Sequence, residues 1–334
     1  MSVSSLAEVL TVPGLLPVAL LTLGVLLVNG WTDAPNAIAT TVASGALSFP
    51  AAAALAAVCD LLGALLSAVF FPAVARSVLD LARFDGDSRA ALWALCAALG
   101  AVIAWSAAAW VLRIPTSESH GLLAGLAGAS LALGRSGGGV ALRAWLRVLL
   151  ALPLSAGTGW LLAKVLTARP GKPRSTAFYR SAQRAGAAAM ALLHGAQDGQ
   201  KFLGVFLLGL SLAAGQSRPS GPAPLWLSAL CAGAMALGTA LGGRRIVDAV
   251  GRDMVALDLR RGLAADVAGA VSLLGCTLLG LPVSTTHTKT AAILGAGQHP
   301  NWSVAGSIAL AWALTFPVCG LLGFLCAKFL LFFL

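Results

Sequence analysis

A proline-led motif of hydroxyl residues and a histidine occurs twice in this sequence. Ile114-Pro-Thr-Ser-Glu-Ser-His120 matches Leu281-Pro-Val-Ser-Thr-Thr-His287. Proline suits the first turn of a helix, and hydroxyl groups cap its free N–H groups. Unpaired N–H groups and partial positive charge at a helix N-terminus together bind anions. Two such ends could converge on one tetrahedral oxyanion, held by neutral donors that also let it leave. The predicted donors are Ser117, Ser119, Ser284, Thr285 and Thr286.

Two other interpretations of this motif are weaker. Each copy alone is explained by capping of a buried helix end, but the duplication favours a site. A Ser–His pair such as Ser284 and His287 would suit an intramembrane hydrolase. That interpretation is disfavoured because the chain has no G-x-S-x-G turn, and a hydrolase has no need of a second copy. We expect His120 and His287 to orient the motif rather than to relay protons.

Two aspartates form a second duplicated motif, in which Gly30-Trp-Thr-Asp33 matches Gly195-Ala-Gln-Asp198. Ionisable groups inside membrane segments are costly and usually functional. A carboxylate beside an anion site makes sense if it holds a coupling cation, Na⁺ or H⁺, and neighbouring oxygens suit a hard cation. The predicted ligands of this ion are Asp33 and Asp198, with Thr32, Asn36 and Gln197 beside them.

Lys201 lies three residues after Asp198, a spacing that brings two side chains together on a helix. The two residues are therefore expected to form a buried ion pair. This pair is structural in one interpretation. In the other, Lys201 contributes positive charge to the bound anion and belongs to the anion-binding residues.

The elements that position these motifs must be membrane helices. The chain has 334 residues, of which 58% are hydrophobic and only 10% are charged, too few charges for a soluble domain. The net charge of +10 is better explained by basic cytoplasmic loops than by nucleic-acid binding. The six cysteines lie singly in apolar runs without C-x-x-C spacing, so no metal or other cofactor is expected beyond the coupling ion.

The predicted fold is an all-α polytopic membrane protein with about ten to twelve membrane segments. Runs of about 20 apolar residues span a bilayer, and the first, Val12–Asn29, is expected to be a retained helix. Other segments are short and polar at their start, and such backbone is tolerated only where protein or a water-filled cavity satisfies it. These are predicted re-entrant or discontinuous half-helices: Asn29–Ser48, Pro115–Gly134, His194–Gly209 and Pro282–Gly297.

The two motifs recur in the same order at nearly the same spacing. Asp33 precedes Pro115 by 82 residues and Asp198 precedes Pro282 by 84. Interrupted segments at corresponding positions of two halves point to a transporter site near the bilayer midplane, formed by an inverted-topology repeat. We divide the chain into a first membrane repeat (1–167), a basic linker (168–176) and a second repeat (177–334). The linker is expected in the cytoplasm and both termini outside a plasma (inner) membrane.

Four pieces of the sequence resemble the inorganic phosphate transporter (PiT) family of secondary symporters. Pro282-Val-Ser-Thr-Thr-His287 resembles the family's Pro-Val-Ser-Thr-Thr-His. Asn29-Gly-Trp-Thr-Asp-Ala-Pro-Asn-Ala37 and His194-Gly-Ala-Gln-Asp-Gly-Gln-Lys201 resemble its two Asn-Asp signatures. The resemblance implies that both halves bind inorganic phosphate, and that transport is coupled to Na⁺ or H⁺. An intramembrane enzyme or a nucleotide-driven pump is disfavoured.

The sequence departs from the family pattern at positions that bear on coupling. The asparagine before each signature aspartate is replaced by Thr32 and by Gln197, which both keep an oxygen. Glu118 stands where the family has a hydroxyl residue. Since burial favours the neutral form of a carboxyl group, Glu118 is the candidate proton-coupling residue. Sulfate and a metal–phosphate complex stay open as substrates, as do a homo-oligomer and a cytoplasmic regulatory protein.

Overall fold

Helices form most of the first half of the chain. The computed structural model describes residues 14–112, 116–134, 138–168, 174–219 and 221–334. A small antiparallel pair of strands, β1 (Ala82–Phe84) and β2 (Gly138–Val140), lies among the helices. The helices of this half are α1 (Leu15–Thr32), α2 (Pro35–Ala43), α3 (Phe49–Phe70), α4 (Ala73–Leu79), α5 (Ser88–Val111), α6 (Glu118–Ala132) and α7 (Leu142–Ala168).

The second half repeats this order of long and short helices. A π-helical segment, Gly195–Gly199, joins α8 to α9, and a second, Ala249–Asp253, follows α11. The remaining polypeptide of this half is again almost entirely helical. Its helices are α8 (Thr176–His194), α9 (Gln200–Ala213), α10 (Leu225–Leu241), α11 (Arg244–Asp248), α12 (Leu259–Leu278), α13 (Thr285–Ala296) and α14 (Trp302–Phe332).

Six helical stretches of the described residues are long and apolar enough to cross a membrane, and the first of them, Leu15–Ala43, combines α1 and α2. A seventh span results if α10 and the bent segment after it, Arg244–Asp253, are counted together. Large apolar side chains such as Leu321, Leu325 and Phe329 are exposed along one face of α14. That exposure suits a lipid environment, in which apolar side chains face hydrocarbon. The all-helical, multi-pass membrane fold predicted from composition is therefore confirmed.

The four predicted half-helices correspond to short helices, which explains why the full spans number fewer than ten to twelve. They appear as α2, α6, α9 and α13. Of these, α6 has 15 residues, α9 has 14 and α13 has 12. At about 1.5 Å per residue, each is shorter than a hydrocarbon core of about 30 Å. Such helices need protein around them, and their residues are mostly buried.

Glycines at equivalent positions let the two halves pack in the same way. A Cβ on Gly30 would lie 2.1 Å from the carbonyl oxygen of Met235, and a Cβ on Gly195 would lie 2.2 Å from that of Asp60. Gly195 follows Gly30 by 165 positions, and Met235 follows Asp60 by 175. The contact of α1 with α10 is therefore repeated by the π-helical segment that extends α8 and by α3.

A second pair of glycines keeps the same two offsets. A Cβ on Gly63 would lie 1.9 Å from the carbonyl oxygen of Leu192, and one on Gly238 would lie 2.0 Å from that of Leu27. Leu192 follows Leu27 by 165 positions and Gly238 follows Gly63 by 175. Because small residues allow such close backbone approach in membranes, these four glycines fix two equivalent helix pairs.

The remaining helix contacts are also exchanged between the halves. The short helix α6 packs against α14, the last helix of the second half, while α13 packs against α7, the last helix of the first. Likewise α5 packs on α14 and α12 on α7. The buried core between the halves includes Leu26, Leu95, Leu122 and Phe206. An inverted orientation of the two repeats stays a prediction, and the exchanged contacts support it.

The boundaries of some elements differ from the sequence prediction. Helix α1 continues through Asn29 to Thr32. The side-chain amide of Asn29 donates to Asp198, so it does not take a hydrogen bond away from the helix backbone. The apolar stretch 50–79, whose length predicts a single span, is instead divided at Phe71 and Pro72, between the end of α3 and the start of α4. In the predicted linker, 169–173 lie outside the described residues; α7 ends at Ala168 and α8 begins at Thr176.

Candidate functional site

The N-termini of α6 and α13 meet each other. Ser117 and Ser284 are the N-cap residues, and each side-chain oxygen accepts a bond from the backbone N–H three residues later, at 3.4 Å from His120 and 3.2 Å from His287. The two serine Oγ atoms are 2.8 Å apart and hydrogen-bonded. Two helix ends with partial positive charge thus lie side by side, as the duplicated motif predicts. Pro115 lies outside the described residues.

The other predicted phosphate donors surround this contact. The hydroxyl of Ser119 donates to Oδ1 of Asp198 over 3.4 Å, and that of Thr285 donates to Oδ2 over 3.5 Å. The hydroxyl of Thr286 is buried and has no hydrogen-bond partner among the described residues. All five predicted hydroxyl residues are at most 3% exposed. They form one closed cluster with donors from both halves.

Lys201 lies in the same cluster and uses its three N–H donors on protein oxygens. Its Nζ donates to Oδ1 of Asp198 at 2.6 Å, to Oγ of Ser119 at 2.7 Å and to the backbone carbonyl of Val283 at 2.6 Å. The buried ion pair predicted from the spacing is therefore present. Since an ammonium group has three protons, Lys201 has no further N–H for an anion in this conformation.

The aspartate of the first half is surrounded by neutral and acidic groups. Asn36 donates to the backbone carbonyl of Asp33 at 2.8 Å and to its Oδ1 at 3.3 Å. Oδ2 of Asp33 and Oδ1 of Asn36 are buried without a partner in the described part of the chain. Glu118 contacts the hydroxyl of Thr32, 2.5 Å from Oε1, and is close enough to Asp33 to interact electrostatically. The four residues thus form a second oxygen-rich group.

Three buried residues bring possible metal ligands together. Asp33, His194 and Asp198 each offer an atom, and these atoms lie within 4.8 Å of one another. Nδ1 of His194 is 2.9 Å from Oδ1 of Asp60, and its Nε2 is 3.5 Å from Oδ2 of Asp198. Two carboxylates and an imidazole suit a cation, and the imidazole extends the set to transition metals.

Gln197 is directed toward the loop that precedes α13. Its amide nitrogen donates to Oγ1 of Thr277 at 2.9 Å and to the carbonyl of Leu281 at 3.3 Å. Its Oε1 is buried and has no bond to a described residue. Gln197 therefore ties the aspartate motif to the proline motif of its own half. Its predicted role as a ligand of the coupling ion stays a prediction.

The two histidines of the proline motifs pack on aromatic rings. His120 and His287 contact each other edge to face, with centroids 4.1 Å apart. His120 stacks on Phe316 at 4.5 Å, and His287 packs on Trp312 at 3.7 Å, both rings being contributed by α14. The contacts fit a role in orienting the motif. The hydroxyl of Ser284 is engaged by Ser117 rather than by an imidazole, an arrangement unlike that of a nucleophile and its base.

The sequence indicated Asn29 only as one of the oxygen-bearing residues around the aspartates, and it did not indicate His194 or Asp60 as site residues. Asn29 donates to Oδ2 of Asp198 at 3.1 Å, and Thr239 donates to Oδ2 of Asp60 at 2.6 Å. The repeat indicates two of these residues, because Asn29 and His194 each precede their motif aspartate by four residues. One helical turn separates such positions, so both side chains reach the site.

A second buried ion pair joins Lys289 to Asp266. Thr40 donates to Oδ1 of Asp266 at 2.6 Å and lies 3.3 Å from Nζ of Lys289. Lys289 follows Thr285 by one helical turn on α13, and Thr40 follows Asn36 by one helical turn on α2. Asp60 lies on α3 and Asp266 on α12, helices that are not equivalent in the repeat, so the two aspartates are not repeat partners.

Comparison with known proteins identifies relatives of the whole chain. The model of the phosphate transporter family matches twice, over residues 29–171 and 166–323. A probable low-affinity inorganic phosphate transporter of Mycobacterium tuberculosis is 35% identical over 308 residues, 88% of this chain and 72% of the relative. A protein of the same description from Bacillus subtilis is 32% identical over 310 residues, 89% of this chain and 91% of the relative.

A solved structure has the same fold. It is described as the sodium-dependent phosphate transporter and superposes with a TM-score of 0.84. The match covers 96% of this chain and 100% of that one at 20% identity. The family and these relatives are transporters and not enzymes, which contradicts the hydrolase interpretation.

Proposed function

Because this chain belongs to the phosphate transporter family, we propose that it carries inorganic phosphate across the plasma (inner) membrane together with H⁺ or Na⁺. The observation that carries the proposal is the contact between Ser117 and Ser284, 2.8 Å apart. It places two capped helix N-termini, one from each half, at a single point. Relatives described as inorganic phosphate transporters support phosphate as the substrate.

Neutral donors would hold the anion at this point. Ser117, Ser119 and Ser284, with Thr285 and Thr286 beside them, offer hydroxyl groups next to the free N–H groups of two helix ends. The unpartnered hydroxyl of Thr286 is available as a donor. Lys201 contributes positive charge nearby, although its N–H groups bond to protein oxygens. Phosphate would therefore be bound mainly through neutral groups, which permits its release.

The coupling ion would bind on the first-half side, at Asp33. This carboxylate and Asn36 each have a buried oxygen without a described partner, and Thr32, Gln197 and Asp198 belong to the same proposed ion site. The structural neighbour is described as sodium-dependent, which supports Na⁺. Glu118 next to Asp33 supports H⁺, since one proton between two neighbouring carboxyl groups relieves their repulsion. Both ions stay in the proposal.

Transport would proceed by alternating access around this closed site. Asp33, Asp198 and Lys201 are fully buried, as expected for an occluded site between two membrane repeats (1–167 and 177–334). Interrupted helices at the interface of such repeats let one half move against the other around a fixed site. The basic linker at 168–176 is placed in the cytoplasm and both termini outside, following the distribution of Lys and Arg.

The proposal is tested by uptake of radiolabelled phosphate into proteoliposomes, with Na⁺ and pH gradients imposed separately. We expect saturable uptake that one of the two gradients accelerates. Excess sulfate is expected not to compete. Uptake that neither gradient changes would contradict coupled transport, and full competition by sulfate would instead assign a general oxyanion carrier.

A metal–phosphate complex is a second candidate substrate, favoured by one observation. Asp33, His194 and Asp198 place three ligand atoms within 4.8 Å of one another, and a buried imidazole is an uncommon ligand for Na⁺ but a usual one for transition metals. Uptake measured after removal of divalent cations by a chelator separates the two. Phosphate uptake that survives chelation supports free phosphate, whereas loss of uptake restored by a divalent cation supports the complex.

A further inference from the structure

Lys201 and Asn36 occupy equivalent positions in the two halves. Each follows its motif aspartate by three residues, Asp198 in one case and Asp33 in the other. Both aspartates are fully buried and lie close to the other half: the Ser119 hydroxyl is 3.4 Å from Oδ1 of Asp198, and a carboxylate oxygen of Asp33 lies within 4.8 Å of ligand atoms of His194 and Asp198. The repeat therefore has a cationic side chain in one copy and a neutral amide in the other.

The surroundings of the Lys201 ammonium have the composition of a cation site. Nζ has three oxygens at 2.6 to 2.7 Å: a carboxylate from Asp198, a hydroxyl from Ser119 and a backbone carbonyl from Val283. These are the oxygen types that bind hard cations, at about 2.3–2.6 Å for Ca²⁺. They also come from three separate elements, including both proline motifs. An ion-pair partner alone would require only the carboxylate.

At the equivalent position of the first half, no cationic side chain among the described residues hydrogen-bonds the oxygens of Asp33 and Asn36. Asn36 donates to Asp33, while Oδ2 of Asp33 and Oδ1 of Asn36 have no partner among residues the structure describes. The charged or titratable groups near this position are Glu118, His194, Asp198 and, without a hydrogen bond to Asp33, the Lys201 ammonium. The first half thus gathers acidic oxygens, whereas in the second half an ammonium group neutralises them.

We infer that the Lys201 ammonium is a tethered cation, which occupies in the second half the position that an exchangeable coupling cation occupies in the first. This inference rests on the proposed function and deepens it. A chain with asparagine at both positions would bind a cation in each half. This chain would bind one exchangeable cation, at Asp33. It would therefore carry one cation fewer per phosphate than a chain with asparagine at both positions.

The alternative is that Lys201 only clamps the two proline motifs together. Both interpretations predict that loss of Lys201 weakens the fold, because Asp198 would be left buried without a charge partner. Only the tethered cation predicts that an added ion repairs the loss. Lys201→Asn supplies an amide oxygen and space, and so recreates the first-half arrangement, whereas Lys201→Met fills the space without adding a ligand.

The experiment compares melting temperatures of purified wild type, Lys201→Asn and Lys201→Met in NaCl and in choline chloride, without phosphate. Lys164→Asn is the matched control, because Lys164 is exposed on α7 and outside the cluster. We expect Lys201→Asn to melt below wild type in choline chloride. NaCl at about ten times the dissociation constant should raise its melting temperature by about 2 °C or more beyond the rise in wild type. The Met variant and the Lys164→Asn control should show no additional rise.

Uptake gives a second readout. The ratio of phosphate uptake in NaCl to uptake in choline chloride should rise about tenfold or more in Lys201→Asn over wild type. If wild type takes up no phosphate, the proposed function fails, while the melting experiment still decides the cation site. If wild type transports and Lys201→Asn folds without an added response to Na⁺, the tethered cation is wrong.

A variant that does not fold also decides the question. Folded yield of Lys201→Asn is then compared after extraction in NaCl and in choline chloride. Recovery in NaCl supports the inference. Equal loss in both salts overturns it and identifies Lys201 as a structural clamp, because a site of oxygen ligands opened by the substitution would have bound the ion.

Discussion

The groups around Asp33 and Asp198 occupy equivalent places in the repeat but balance charge differently. Asp198 contacts Lys201 at 2.6 Å, Asn29 at 3.1 Å and two hydroxyl groups. Oδ1 of Asp33 accepts a hydrogen bond from Asn36, its carboxylate faces Glu118, and its Oδ2 has no hydrogen-bond partner among the described residues. The two copies of the motif thus differ in electrostatics: an ammonium group bonds the carboxylate of Asp198, whereas no basic side chain among the described residues hydrogen-bonds that of Asp33.

The largest expected effects come from neutralising each aspartate in turn. Asp198→Asn leaves the Lys201 ammonium buried without its carboxylate. Breaking a buried pair in this way costs about 3–5 kcal/mol, so we expect a melting temperature lower by roughly 5 °C or more. The melting temperature is measured by heating purified protein to a series of temperatures and quantifying the folded fraction by size-exclusion chromatography.

Asp33→Asn should behave in the opposite way. Asp33 has no basic partner among its hydrogen bonds, so its neutral isostere should keep the folded yield and melting temperature near those of wild type. Gradient-driven phosphate uptake should fall to the background of empty vesicles, because the ion ligand is lost. Equal stability loss in both variants would remove the proposed difference between the halves.

The Lys289–Asp266 pair is a second buried ion pair, and it can be compared with the Lys201–Asp198 pair. Unlike Lys201, Lys289 has no counterpart in the other repeat. Lys289→Met should leave Asp266 unpaired and destabilise the fold by about 3–5 kcal/mol, and the double variant Lys289→Met with Asp266→Leu should recover much of that loss. Melting temperatures with and without NaCl measure both effects. Na⁺ is expected to restore nothing here, since the tethered-cation inference does not extend to this pair.

Glu118→Gln tests the acidic side chain that lies beside Asp33. We expect a smaller effect on uptake than that of Asp33→Asn. The Thr32 hydroxyl contacts the carbonyl of Val28 at 2.7 Å and Oε1 of Glu118 at 2.5 Å, and its one proton serves only one of them. A glutamine amide can supply the second donor but cannot release a proton. We expect folded yield to be kept and pH-driven uptake to fall by roughly tenfold.

The comparison for Glu118→Gln is uptake driven by a Na⁺ gradient. If H⁺ is the coupling ion, only the response to the pH gradient should change. An unaltered pH dependence would remove Glu118 from coupling and leave Asp33 as the ion ligand.

The sequence predicted the fold well because its signals are local or duplicated. Apolar runs predicted the spans, and proline with serine predicted the ends of α6 and α13. The duplication predicted that Ser117 and Ser284 would converge. The exchanged helix contacts then follow from glycines, whose role was not apparent without the packing partners.

Partners in space could not be predicted from the same signals. Nothing in the sequence near Lys201 indicates Ser119 or Val283 as its ligands, since they are 82 residues away in each direction. The pairing of Asp266 with Lys289 and Thr40 depends on α2, α12 and α13 coming together. Long-range packing decides which oxygen each buried charge meets, and only the assembled helices contain that information.

The central claim, that both halves hold one phosphate, is tested most directly by a double-mutant cycle on Ser117 and Ser284. Phosphate dissociation constants are measured by calorimetry for wild type, Ser117→Ala, Ser284→Ala and the double variant. Each single change should weaken binding by roughly fivefold, about 1 kcal/mol for one hydrogen bond. The double variant should deviate from additivity by about 0.5 kcal/mol or more, because the two hydroxyls contact each other. Unchanged affinity in either single variant would contradict a site shared by the two halves.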